Sequence, residues 1–160
     1  MKTLCFCLLF TTAWGWSAEP TLVYLVRHAE KVDQSKDPDL SEAGYRRVET
    51  LRRFFAKIPI DLVVATQYQR TQRTVRPIAG DQNRALEVIP AEHPEKLVEQ
   101  IRQNPGKTIL VAGHSNTVPD LISRLKGPKV QIQDHEYNDL FLLILADDQT
   151  TVLQSFQITP

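Results

Sequence analysis

An arginine and a histidine stand side by side at the end of an apolar run: Thr21-Leu22-Val23-Tyr24-Leu25-Val26 leads into Arg27-His28-Ala29-Glu30-Lys31. A buried strand ending in a cation and an imidazole suits phosphate chemistry. Histidine serves as a nucleophile as well as a base, and a guanidinium can hold an anionic oxygen against it. One such pair is weak on its own, because many strands end in polar residues. A second apolar run, Thr108-Ile109-Leu110-Val111-Ala112, leads into Gly113-His114-Ser115-Asn116. In open α/β sheets the ligand crevice lies beyond the carboxyl ends of the strands, where both histidines would sit.

The elements that must carry these residues follow from the apolar pattern. Ser41 reads as an N-cap with Glu42 in the first turn, and Tyr45, Val48, Leu51, Phe55 and Ile58 recur at helical spacing until Pro59. Asp61 to Ala65 is a strand, followed by a basic helical segment from Gln69 to Ala79 that ends at Gly80. Leu86 to Ile89 is a short strand, Pro94 opens a helix that Asn104-Pro105-Gly106 closes, and the His114 strand leads into a helix ending at Gly127-Pro128. Alternating strands and helices imply an α/β three-layer sandwich with a mostly parallel central sheet. Leu140 to Leu145 and Thr151 to Ile158, joined at Asp147-Asp148-Gln149, break that alternation and predict an antiparallel edge hairpin.

The basic segment supplies Arg70, Arg73 and Arg76, which drift around a helix axis and cannot share one pocket equally. Arg70, nearest the strand end, is the best placed; Arg73 and Arg76 read as a solvated basic face. Together, Arg27-His28, Leu40-Ser41-Glu42-Ala43-Gly44, Arg70-Thr71 and Gly113-His114-Ser115-Asn116 resemble, in order, the motifs of the histidine phosphatase superfamily. This is the phosphoglycerate-mutase-like group, in its small single-domain form. Any one motif is loose, whereas four in register are specific.

The resemblance implies that His28 accepts the phosphoryl group and that Arg27, Arg70 and His114 surround the phosphate oxygens. Phosphoryl transfer spreads charge over three equatorial oxygens, which such a pocket can hold without a metal or other cofactor. His28 needs one unprotonated nitrogen, so its other nitrogen is expected to donate to a backbone carbonyl. His114 is expected to act as a cation facing the phosphate, its pKa raised by the bound dianion. Ser115 and Asn116 add backbone donors to the phosphate site or simply cap the following helix.

The resemblance also implies a carboxylic general acid between the second arginine motif and His114. Glu92 is the best candidate, with Glu87 and Glu95 less well placed. Ala29 stands where the family often has glycine, and Arg73 where glutamine is frequent. Glu30 and Lys31 read as supporting charges, and His93 and His135 as exposed histidines rather than a metal pair.

The chain has 160 residues with 19 basic and 19 acidic side chains, so one domain is expected and nothing favours nucleic acid as a partner. Residues 1–18 read as a signal peptide: Met1-Lys2 is basic, Leu4 to Ala13 is apolar, and Gly15, Ser17 and Ala18 are small. That core is well short of the about 20 residues of a spanning helix, so release after cleavage at Ser17 or Ala18 is expected. Both cysteines, Cys5 and Cys7, would leave with it.

The expectation is therefore an exported domain over residues 19–160, periplasmic or secreted, that hydrolyses a small-molecule or envelope phosphomonoester through a phosphohistidine. Export disfavours a glycolytic mutase or a cytosolic signalling phosphatase. The alternative is a phospho-ligand binding protein that kept the pocket and lost turnover.

Overall fold

The computed structural model describes residues 19–146 and 151–159. The expected signal peptide and the Asp147-Asp148-Gln149 turn therefore lie outside the described residues. The elements run β1 (Thr21–Arg27), α1 (Glu42–Phe55), β2 (Leu62–Ala65), α2 (Gln69–Asp81), β3 (Leu86–Val88), α3 (Pro94–Arg102), β4 (Thr108–Gly113), α4 (Thr117–Arg124), β5 (Asp139–Leu145) and β6 (Thr151–Gln157).

The sheet order is β3-β2-β4-β1-β5-β6. The first four strands in that order are parallel, and β5 and β6 are antiparallel, as the apolar runs predict. Strand side chains alternate between faces, so β1 feeds two cores. Tyr24 and Val26 join Leu51 and Phe55 of α1 and Val75 and Ile78 of α2. Val23 and Leu25 join Val98 and Ile101 of α3 and Val118, Leu121 and Ile122 of α4. Helices thus cover both faces. Among the described residues no helix is long and apolar enough to cross a membrane.

This topology creates the site. β1 and β4 are adjacent, with Arg27 in register with Gly113, yet α1 after β1 and α4 after β4 lie against opposite faces. A crevice opens where neighbouring connections diverge, and the chain places its histidines there.

The inward stripe of α1 differs from the expected one. Gly44, Arg47, Val48, Leu51 and Phe55 are buried, whereas Tyr45 is exposed and hydrogen-bonds Asp39 and Arg73. Arg47 replaces the tyrosine because Glu30 waits beneath it: the guanidinium forks onto that carboxylate at 2.6–3.0 Å and donates to Ile158 O at 2.6 Å. The helix also ends at Phe55, before Pro59, with Ala56 as its C-cap. Ser41 is the N-cap, accepting from Gly44 N at 3.1 Å. Gly44 itself has no substitute, since a Cβ there would run into the Glu30 carbonyl.

Candidate active site

His28 is buried just past the end of β1, and its N–H donates to Gly113 O at 2.9 Å, joining the two histidine-bearing strand ends. Its Nδ1 lies 2.7 Å from Ala29 O. A carbonyl only accepts, so Nδ1 carries the proton and Nε2 is left as an unprotonated nucleophile. Ala29 N donates in turn to Thr74 Oγ1, which donates to Arg70 O at 2.7 Å. The nucleophile loop and the start of α2 are thereby fastened together.

His114 faces His28 edge-on, with ring centroids 5.4 Å apart. Its Nε2 lies 3.0 Å from Thr66 Oγ1, which lies 2.8 Å from Thr71 Oγ1. Thr71 spends its single proton on the carbonyl of Tyr68 at 2.8 Å, so Thr66 donates to Thr71 and His114 Nε2–H donates to Thr66.

Both imidazoles are neutral in the free protein. Burial lowers the His28 pKa to about 4; the Ala29 bond opposes that shift, and Arg27, Arg70 and Lys31 reinforce it. Burial likewise lowers His114 to about 3, helped by Arg70, His28 and Arg27. For His28 this matches the expected nucleophile. For His114 burial among guanidiniums keeps the free site neutral, and the cation expected beside a bound phosphate requires the dianion to pull the pKa back up.

These shifts make stability pH-dependent. The unfolded histidines take up protons near pH 6.5, whereas the folded ones resist until about pH 4 and 3. Stability is therefore full above pH 6.5 and falls as pH drops through that window. Between pH 7 and 5 the wild type should lose roughly 3 kcal/mol more than a His28→Asn/His114→Gln double variant. Urea melts at the two pH values measure this, and equal losses would show that the two imidazoles are not buried neutral.

Arg27 does more than expected. Its Nη1 lies 2.9 Å from Gln133 O, 3.0 Å from Asp134 O and 2.9 Å from Glu136 O, and its Nη2 lies 3.4 Å from the Tyr137 hydroxyl. It anchors the segment ahead of β5, while its buried Nε has no acceptor among the described residues. Arg70 is mostly buried near the N-terminus of α2, 3.4 Å from Lys36 O and 3.7 Å from Asp37 Oδ1. Arg73 pairs with Asp39 and Arg76 bonds Gln72, so both stay on the helix surface as expected.

Each guanidinium also rests on a tyrosine. Arg27 lies 4.1 Å over the Tyr137 ring, which packs against His28 at 5.9 Å. Arg70 lies 4.3 Å over Tyr68, which packs against His114 at 5.2 Å. A ring face attracts the cation while leaving the guanidinium edge free to donate.

Arg27, His28, Arg70, His114, Glu92 and Ser115 all line one open cavity of about 510 Å³, together with Lys31, Tyr68, Asn116 and Asp134. Asn116 is the N-cap of α4 but makes no side-chain cap bond; the Thr117 hydroxyl instead accepts from His114 N at 2.8 Å. Of the three carboxylate candidates only Glu92 lines the cavity, whereas Glu87 accepts from Gln100 and Glu95 lies beside His93. Glu30 pairs with Arg47, and Lys31 donates to Gln34 at 2.6 Å. His135 is exposed, and no group of three or more His, Cys, Asp or Glu among the described residues could hold a metal.

Sequence reasoning missed Thr66, Thr74, Tyr68 and Tyr137, and gave Thr71 a place in a motif but no role. A hydroxyl pair flanking Arg70 was a usable signal; Tyr137 follows no motif.

The family model of the histidine phosphatase superfamily (branch 1) matches residues 23–101. None of the curated proteins matches the chain in sequence. Similar solved structures include the phosphoserine phosphatase of Entamoeba histolytica in complex with 3-phosphoglyceric acid, with TM-score 0.68 and 16% identity, covering 87% of this chain and 98% of that one. The protein histidine phosphatase SixA complexed with tungstate also has TM-score 0.68 and 16% identity, covering 85% of this chain and 96% of that one. Bacillus stearothermophilus YhfR has TM-score 0.70 and 14% identity, covering 88% of this chain and 98% of that one. Residues 23–101, from β1 to α3, thus carry the sequence pattern of the histidine phosphatase superfamily, and the described chain shares the fold of these phosphatases.

Proposed function

We propose that this protein is a phosphomonoester phosphatase that works through a phosphohistidine on His28 and uses no metal. The observation that carries the reading is the His28 ring itself, with Nδ1 committed to Ala29 O and Nε2 left bare in a cavity shared with Arg27, Arg70 and His114.

In the first displacement His28 Nε2 attacks phosphorus, the P–O ester bond breaks, and Glu92 gives its proton to the leaving oxygen. Arg27 and Arg70 neutralise the equatorial oxygens, and His114 takes up a proton from solvent as the dianion binds. Water then attacks the phosphohistidine, its proton passes to Glu92, and inorganic phosphate departs with His28 restored.

The test is hydrolysis of 4-nitrophenyl phosphate by the domain from residue 19 onward, with excess chelator. Turnover that survives chelation supports the reading, and turnover that chelation removes contradicts it. Phosphate binding without turnover of any ester would favour the binding protein instead. The cavity is open, which supports small-molecule or envelope phosphomonoesters as substrates. The N-terminal pattern supports export; sequencing the mature N-terminus should find Ala18 or Glu19, and a retained Met1 would contradict it.

A further inference from the structure

Glu92 is exposed on the loop between β3 and α3, and an exposed side chain there has no inherent reason to aim at a leaving group. One residue supplies that reason. The Gln67 side chain spans from the β2–α2 connection to this loop: its Oε1 accepts from Ala91 N at 2.9 Å, and its Nε2 donates to Glu92 Oε2 at 3.0 Å. Its own backbone oxygen accepts from Gln72 Nε2 of α2 at 3.0 Å. The amide cannot be turned over, because a flip would set NH₂ against N–H and oxygen against carboxylate.

We infer that Gln67 is a positioning residue for the general acid, fixing Glu92 so that phosphoesters with poor leaving groups can be cleaved. The inference rests on the reading of Glu92 given above. Gln67 lies outside the cavity lining and acts only through its neighbour. By occupying Oε2 it leaves Oε1 to carry the proton, and by holding Ala91 it sets the loop from which Glu92 projects. Good leaving groups depart without a proton, whereas poor ones require it. The clamp should therefore matter in proportion to how badly the leaving oxygen needs protonation.

Two variants separate its two bonds. Gln67→Met removes both, and Gln67→Glu keeps an acceptor for Ala91 N while setting a carboxylate against Glu92. The full enzyme is assayed for kcat/KM, which reports the first displacement, on 4-nitrophenyl phosphate and on phenyl phosphate, whose leaving group needs a proton far more. Both variants should lose about 10-fold more on phenyl phosphate than on 4-nitrophenyl phosphate, within the usual range for general acids. Glu92→Gln should show the same selectivity, more strongly.

Equal losses on the two esters, or none, in the Gln67 variants beside a selective loss in Glu92→Gln would overturn the positioning role and leave the acid assignment standing. An unselective Glu92→Gln would overturn both. Thermal melting of Gln67→Glu separates misfolding from misplacement, because its Ala91 contact is preserved.

Discussion

Replacing His28 with alanine is expected to lower kcat/KM by about 10⁴-fold or more, to the level of the uncatalysed background on any ester. Loss of a nucleophile is not compensated by the groups around it, since Arg27 and Arg70 only stabilise charge and His114 Nε2 is committed to Thr66. The variant should remain folded. His28 is a buried group whose pKa is pushed down to about 4, so removing it relieves a cost at acid pH. Phosphate should still bind, because the guanidiniums remain. Melting curves with and without inorganic phosphate, run beside the kinetics, check both halves, and appreciable turnover by the variant would rule out His28 as nucleophile.

The second large effect is expected at Arg27, where catalysis and architecture share one side chain. Arg27→Ala should lower kcat/KM by about 10³-fold, the scale seen when one preorganised charge-stabilising donor is lost from a transition state. It should also free residues 133–137, whose carbonyls at Gln133, Asp134 and Glu136 share Nη1. Arg27→Lys should rescue little, because an ammonium cannot span those carbonyls, the Tyr137 hydroxyl and a phosphate oxygen as a planar fork does. Kinetics together with amide hydrogen exchange over 133–137 test this. An activity loss without faster exchange would show that the anchor is dispensable.

Much of this site was legible because its geometry is local to strand ends. An apolar run that ends in Arg27-His28 and another that ends in His114 become neighbours as soon as β1 and β4 pair, and Arg70 follows from standing two residues into the helix after β2. Glu92 was legible only through the resemblance, since nothing in its own neighbourhood distinguishes it from Glu87 or Glu95.

What the sequence hid was long-range or environmental. Tyr137 reaches Arg27 from 110 positions away, out of a loop with no periodicity. Tyr45 and Arg47 exchanged their expected places because apolar periodicity takes no account of Glu30, whose carboxylate makes burial of an arginine acceptable. The neutrality of His114 in the free site was hidden because burial, the first cause of its lowered pKa, belongs to the packed molecule and not to the motif.

The most direct measurement is rapid acid-free quenching of a single turnover with ³²P-labelled ester, followed by peptide mapping. A base-stable, acid-labile label on the peptide carrying His28, absent from His28→Ala and chased away as inorganic phosphate, is the predicted result. Full turnover with no labelled enzyme at any time, or a label on a different residue, would contradict the account.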